Sequence, residues 1–290
     1  AVLRKFKKEK FLKIILSDKK NVNFLDQKKT FEYLKKSKPK LVIVCAAKVG
    51  GIAANKESKS SFIYENLQIQ NNLIHGSYLA GVKNLIFLGS SCIYPKKTSI
   101  PIKEEFLLSG KLEETNDAYA IAKIAGLKMC KFYSENYNVN FKTLMPCNLY
   151  GPGDNYNLKT SHFFPALVKK LHKAKKLNKK FVEIWGSGKP KRELMHSDDV
   201  ASAVFFFMNK KIKEDFINIG TGKDFSINWY AKFIMKKFKV SLKINYDRSK
   251  PDGMPKKCLD ISLAKKYGWL PNNNFDQALD ITYKDFLEKN

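Results

Sequence analysis

Asn84-Leu-Ile-Phe-Leu-Gly-Ser-Ser-Cys-Ile-Tyr-Pro95 is the stretch whose reading decides the fold. Residues 84–88 form a nearly unbroken apolar run that stops at Gly89 and a pair of serines. A strand buried on both faces has this character, because neither face alternates with solvent. Three further runs share it, at residues 12–16, 40–46 and 140–145. Helical stretches at about 28–37, 60–80 and 117–136 separate them. The resulting βαβα alternation predicts an α/β fold with a doubly wound parallel sheet. The opening AVLRKFKKEKF reads as the later turns of a helix without a start signal, so the true N-terminus is expected to lie upstream.

In such sheets ligands bind beyond the carboxyl ends of the strands. Polar and small residues collect there: Ala46-Ala47-Lys48, Gly89-Ser90-Ser91-Cys92 and Pro146-Cys147-Asn148. The third helical stretch contains Tyr119-Ala-Ile-Ala-Lys123. Positions i and i+4 share a helix face, which sets the lysine ammonium beside the phenol. A nearby cation favours phenolate, so the Tyr119 pKa is expected to fall from about 10 toward working pH. Such a tyrosine can protonate a carbonyl oxygen as hydride arrives. Ser90, at a strand's carboxyl end, can hydrogen-bond the same oxygen.

After Tyr150-Gly-Pro-Gly-Asp154 the pattern changes to shorter elements. A helix is expected at about 160–173, a strand at 181–185, a helix at about 198–208 and a strand at 216–219. The expected organisation is a sheet domain over 1–153 and mainly a smaller substrate lobe over 154–290, with about 194–222 returning to the sheet. His75, His172 and His196 read as structural, and Trp229 and Trp269 as packing residues. Ser197 reads as an N-cap followed by the first-turn acids Asp198 and Asp199.

The net charge of +27 raises the question of nucleic acid. Of the 54 basic residues only Arg4, Arg192 and Arg248 are arginine, and the lysines are scattered rather than gathered in one block. Base-reading and phosphate-forking surfaces favour arginine, so no nucleic-acid partner is expected. No apolar run reaches the roughly 18 to 20 residues of a membrane span, and no secretory signal is visible. The five cysteines, Cys45, Cys92, Cys130, Cys147 and Cys258, include no CxxC pair. The expectation is a reducing, cytoplasmic setting with neither disulfides nor a metal site.

Seven stretches, in order along nearly the whole chain, carry a resemblance. They are Ala46-Ala-Lys-Val-Gly-Gly-Ile52, Leu88-Gly-Ser-Ser-Cys-Ile-Tyr-Pro95, Tyr119-Ala-Ile-Ala-Lys-Ile-Ala-Gly126, Pro146-Cys-Asn-Leu-Tyr-Gly-Pro152, Trp185-Gly-Ser-Gly188, Arg192-Glu-Leu-Met-His-Ser-Asp-Asp199 and Lys250-Pro-Asp-Gly253. The chain resembles the extended short-chain dehydrogenase/reductases, and among them the GDP-L-fucose synthase family, which is a Rossmann-type fold. The resemblance implies an NADP(H)-dependent enzyme that epimerises carbons 3 and 5 of GDP-4-keto-6-deoxy-D-mannose and reduces carbon 4. It implies Ser90, Tyr119 and Lys123 as the reductase triad, with Cys92 and His162 as the base and acid of epimerisation.

It further implies that Leu88, Gly89, Ser90, Ser91, Pro146, Cys147, Asn148 and Leu149 line the cofactor's nicotinamide side, with Lys123 and His162 also touching it. Lys170, Trp185, Arg192 and Asp252 would hold the GDP-sugar, and a homodimer would form through helices near 60–80 and 117–136. Two departures stand out. The family's first strand and GxxGxxG loop, which cradle the cofactor pyrophosphate, are not in the sequence, so weak NADP binding by this polypeptide is expected. Lys170 supplies an ammonium where a guanidinium would be the better diphosphate fork. In Ser17-Asp-Lys-Lys20, Lys19 and Lys20 favour NADP, whereas Asp18 would suit NAD. The alternatives are another sugar-nucleotide epimerase or reductase, or a catalytically dead binding protein with the same pocket. Cys92 with His162 argues against a simple carbon-4 epimerase, which needs no such pair.

Overall fold

A computed structural model describes residues 1–10, 12–17, 21–158, 160–250 and 252–289. The chain begins with a short helix, α1 (Val2–Phe6), and continues through α2 (Gln27–Ser37), β1 (Leu41–Val44), α3 (Ile52–Glu57), α4 (Lys59–Leu79) and β2 (Asn84–Leu88). Then come α5 (Asp117–Asn136), β3 (Asn140–Pro146), β4 (Asn148–Tyr150), α6 (Phe163–Lys176), β5 (Phe181–Trp185) and β6 (Lys191–His196). The remainder is α7 (Ser197–Phe207), β7 (Phe216–Ile219), β8 (Asp224–Ser226), α8 (Ile227–Lys237), β9 (Lys243–Asp247), β10 (Lys256–Lys257), α9 (Ser262–Lys266) and α10 (Phe275–Lys289).

The main sheet runs β1-β2-β3-β7, all parallel. Side chains alternate across it. Leu85 and Phe87 of β2 pack with Leu34, Ile69 and Leu73 of α2 and α4, while Ile86 faces Val200, Val204 and Phe207 of α7 on the other side. Helices therefore cover both faces, as the apolar strands require. Burying each such side chain stabilises the fold by about 1.5–3 kcal/mol. The expected strand over 12–16 is not formed. Its described residues join no ladder, and Ile14, Ile15 and Leu16 are exposed. A β-type run becomes a strand only where a neighbour takes its backbone hydrogen bonds, and β1 pairs with β2 on one edge alone among the described strands.

A second sheet surrounds β6, with β4 and β10 parallel to it and β8 antiparallel, and β5 pairs with β9. A separate core fills this part, built from Phe164, Leu171, Ile184, Tyr230, Leu279 and Phe286 among others. The cap of α7 differs from expectation: His196, not Ser197, is the N-cap residue, and its ring accepts from the Asp198 N–H at 3.4 Å. Ser197 is already helical, so its hydroxyl cannot take the capping position, and Asp198 and Asp199 occupy the first turn. Lys142, buried in mid-β3, donates to the carbonyls of Phe207 and Lys210 at the end of α7, so a strand lysine caps a helix terminus.

Glu193 of β6 ties the two sheets together. Its carboxylate accepts from the N–H groups of Thr221, Gly222 and Leu259 at 2.5, 2.7 and 2.7 Å. Gly220 passes so close to this carboxylate that a side chain there would collide with it. Replacing Glu193 with alanine strands several buried donors. An unfolding free-energy loss of about 3 kcal/mol is expected in urea titration. A loss under about 1 kcal/mol would show that these loops are held by something else.

Candidate active site

The register pairs Val44 with Phe87 and Leu88 with Leu144, so β1, β2 and β3 end along one edge. Residues 45–48, 89–92 and 147–149 leave the sheet together there. Gly89 runs against Met145 so closely that an added Cβ would lie 2.5 Å from the methionine Cε, so a larger residue there would require the Met145 side chain to shift. Ser90 is extended and caps a single 3₁₀ turn, Ser91–Ile93, which carries Cys92. The Ser90 side chain lies near both the Tyr119 phenol and the Cys92 thiol and favours the ionised form of each, and its hydroxyl accepts from the Cys92 N–H at 3.5 Å. Three expected residues from two elements thus come together around one hydroxyl.

The electrostatics reverse one expectation. The Tyr119 phenol is pushed up from its ordinary value, not down. Burial is the main cause, the neighbouring Cys92 adds to it, and the nearby Ser90 hydroxyl only partly offsets it. Lys123 is itself buried. Its Nζ donates to the Leu88 carbonyl at 2.9 Å and lies 5.7 Å from the centre of the Tyr119 ring. Burial lowers its pKa to about 8. Tyr119 is therefore held as a neutral acid, the form a proton donor needs.

Cys92 is buried, which raises its thiol pKa. The charge that opposes this most strongly is Lys257, ahead of Lys123. Lys257 lies on β10 in register with Arg192 of β6. The same ammonium acts on His162, whose pKa is lowered by burial and then by Lys257. Lys257 is thus a cation acting on both Cys92 and His162 that sequence reading missed. In a chain so rich in lysine, a Lys-Lys pair in a two-residue strand carries no signal. His162 occupies the N-cap position of α6, yet its side chain makes no capping hydrogen bond. Its loop is held against Gly51, whose N–H donates to Thr160 at 3.0 Å and whose added Cβ would lie 2.7 Å from the Ser161 carbonyl.

The residues expected to line a cofactor form a strip at the strand ends. Leu88 to Ser91 lie beside Pro146 to Leu149, and the Cys147 N–H donates to Ile219 of β7 at 3.0 Å. The Cys147 thiol is buried and pushed up by burial and by Glu193, so it is inert. A nicotinamide riboside is chemically compatible with this strip: the buried Lys123 ammonium, bonded to the Leu88 carbonyl at the strand end, has donors to spare for ribose hydroxyls. Lys19, expected at the cofactor's 2′-phosphate, lies outside the described residues.

The four expected substrate residues gather around the 186–188 turn and residues 252–254. Lys170 donates to the Glu183 carbonyl at 3.1 Å and stands 5.2 Å from the Trp185 ring centre. Lys250 stands 5.6 Å from the same ring, so two ammoniums flank one half-exposed indole. Arg192 donates to the carbonyls of Met254 and Asp252 at 2.6 and 3.3 Å. Asp252 accepts from the Ser187 N–H and hydroxyl at 2.6 and 2.7 Å, which hold its carboxyl below the usual range. The Arg192–Lys257 register joins this cationic cluster to the Cys92 side of the site.

Comparisons with known proteins show the family. Residues 3–220 match the model of the NAD dependent epimerase/dehydratase family. A GDP-L-fucose synthase from Sinorhizobium fredii is 42% identical over 287 residues, covering 99% of this chain and 91% of that protein. A GDP-L-fucose synthetase from Naegleria fowleri bound to NADP superimposes with a TM-score of 0.91 at 31% identity, over 99% of this chain and 89% of that one. A GDP-6-OMe-4-keto-L-xylo-heptose reductase from C. jejuni superimposes with a TM-score of 0.92 at 32% identity, covering 100% and 94%.

Proposed function

The chain belongs to the NAD dependent epimerase/dehydratase family, and from that premise we propose that it converts GDP-4-keto-6-deoxy-D-mannose to GDP-L-fucose with NADPH. The observation that carries this reading is the Ser90 side chain standing near both the Tyr119 phenol and the Cys92 thiol. It supports a scheme with a proton donor for carbon 4 and a base for its neighbours on one hub. In this scheme the Ser90 and Tyr119 hydroxyls donate to the carbon-4 oxygen and stabilise the enolate formed when Cys92 removes an adjacent proton. Lys257 stabilises the thiolate, and His162 returns a proton from the opposite face. NADPH, when bound, supplies the hydride that carbon 4 receives. Tyr119 then yields its proton to the oxygen, with Lys123 beside its ring. Lys170, Trp185, Arg192 and Asp252 hold the GDP moiety.

The NADP-bound relative supports the choice of cofactor. Among the described residues no helix is long and apolar enough to cross a membrane, and the five cysteines are free. The free thiols support the proposed cytoplasmic setting, where cysteines stay reduced. The exposed Tyr64 of α4 with Ile121 and Phe132 of α5 supports a homodimer through these helices, which a sedimentation mass twice that of the chain tests. The direct test of function is the consumption of NADPH on adding GDP-4-keto-6-deoxy-D-mannose to the purified protein. Consumption is expected with this substrate and not with GDP-mannose, which lacks the ketone. Equal rates with both, or none with either, would overturn the proposal.

A further inference from the structure

A cavity of about 800 Å³ opens beside Asp252, between the 186–188 turn, the start of α8 and the end of β9. That size is ordinary for a small-molecule site, roughly 300–1,000 Å³. Arg248, Asn228 and Tyr246 line it, and none of them belongs to the substrate cluster described above. Arg248 is one of only three arginines in a chain with 54 basic residues. Arg4 pairs with Asp198, and Arg192 braces residues 252–254. Arg248 is exposed to the cavity, and its side chain has no hydrogen-bond or ion-pair partner among the described residues. Where composition fills nearly every other basic position with lysine, a guanidinium at a cavity wall marks a place where a planar fork matters.

The free polar groups of this cavity are donors. The Asn228 Oδ1 already accepts from the Tyr246 hydroxyl at 3.0 Å, leaving the amide NH₂ unengaged. Asp252 is occupied by Ser187, and the Ser226 hydroxyl accepts from the Trp229 N–H at 3.0 Å. The wall is rigid. The Asn228 N–H donates to Gly188 at 2.9 Å, and Gly188, at φ +70°, lies so near the Tyr246 ring that an added Cβ would be 2.7 Å from it. Asp247 accepts from the Ser249 N–H and hydroxyl, which fixes the turn that presents Arg248. Guanine offers two acceptors, O6 and N7, on one edge, whereas adenine offers N7 beside an amino donor.

We infer that this cavity reads the guanine base of the nucleotide, with the Arg248 guanidinium forked onto O6 and N7 and the Asn228 amide donating beside it. The inference rests on the GDP-sugar reading above and adds the group that selects the base. The test is calorimetric binding of GDP, IDP and ADP to the wild-type chain, to Arg248→Ala and to Arg248→Lys. IDP keeps O6 and N7 and lacks only the 2-amino group. Wild type is expected to bind GDP and IDP alike and ADP at least about tenfold more weakly. Arg248→Ala is expected to weaken GDP and IDP by about tenfold or more and ADP little, and Arg248→Lys to recover only part of the preference. Equal weakening of GDP and ADP would assign Arg248 to the phosphates and overturn the inference, as would an unchanged affinity for GDP. A wild-type chain that binds none of the three would overturn the GDP-sugar reading itself, and this inference with it.

Discussion

Tyr119→Phe is expected to lower kcat for reduction of the 4-keto sugar by roughly 10³-fold while leaving thermal stability and KM nearly unchanged. The substitution removes one oxygen and keeps the ring that packs edge-on against Phe62 at 6.5 Å. What is lost is the proton that must reach the carbon-4 oxygen as the ketone becomes an alcohol. Burial holds the phenol neutral well above neutral pH, so the wild-type donor stays charged with its proton across the working range. Ser90 remains in the variant and can still hydrogen-bond the carbonyl, which leaves residual rate above the uncatalysed level. Steady-state kinetics with NADPH checks this. A variant within threefold of wild type would move the acid to Ser90 or to solvent.

Cys92→Ser is expected to separate the two half-reactions. Exchange of solvent deuterium into carbons 3 and 5 should fall by roughly 10²-fold or more, because a serine hydroxyl is a far weaker acid than a thiol and seldom exists as the anion a base requires. Reduction of carbon 4 uses Ser90 and Tyr119 and should continue on the unepimerised ketone. The Cys92 thiol is itself pushed up by burial in the free protein. In the proposed scheme its activation rests on the cations around it, Lys257 first among them, so replacing Lys257 is expected to slow epimerisation more than reduction. Normal deuterium entry in Cys92→Ser would remove Cys92 from the proposal, whatever happened to carbon 4.

Much of this architecture was legible where local pattern and long-range packing agree. The apolar run of β2 has the bounds read from the sequence, and Tyr119 and Lys123 fall on one helix face. The run at 12–16 has the same composition but pairs with no described strand, and composition cannot report whether a neighbouring strand is there. The second sheet was poorly legible for a related reason. Its central strand, β6, reads Lys-Arg-Glu-Leu-Met-His, and its charged residues are explained only by loops that fold back from residues 220 and 259 onto Glu193. The direction of the Tyr119 shift was misread because spacing reports proximity to Lys123 and not desolvation, which dominates here. Lys257 could not be singled out at all, since its importance lies in register with Arg192 and nearness to Cys92.

The most direct measurement of the central claim, that one hub of Ser90, Tyr119 and Cys92 serves both epimerisation and reduction, is the structure of the product formed in deuterated water. The protein, NADPH and GDP-4-keto-6-deoxy-D-mannose are incubated together, and the product is read by NMR. The account predicts GDP-L-fucose carrying solvent deuterium at carbons 3 and 5 and hydrogen from NADPH at carbon 4. A product reduced at carbon 4 with neither neighbour inverted nor labelled would contradict it and would leave a simple GDP-sugar 4-reductase.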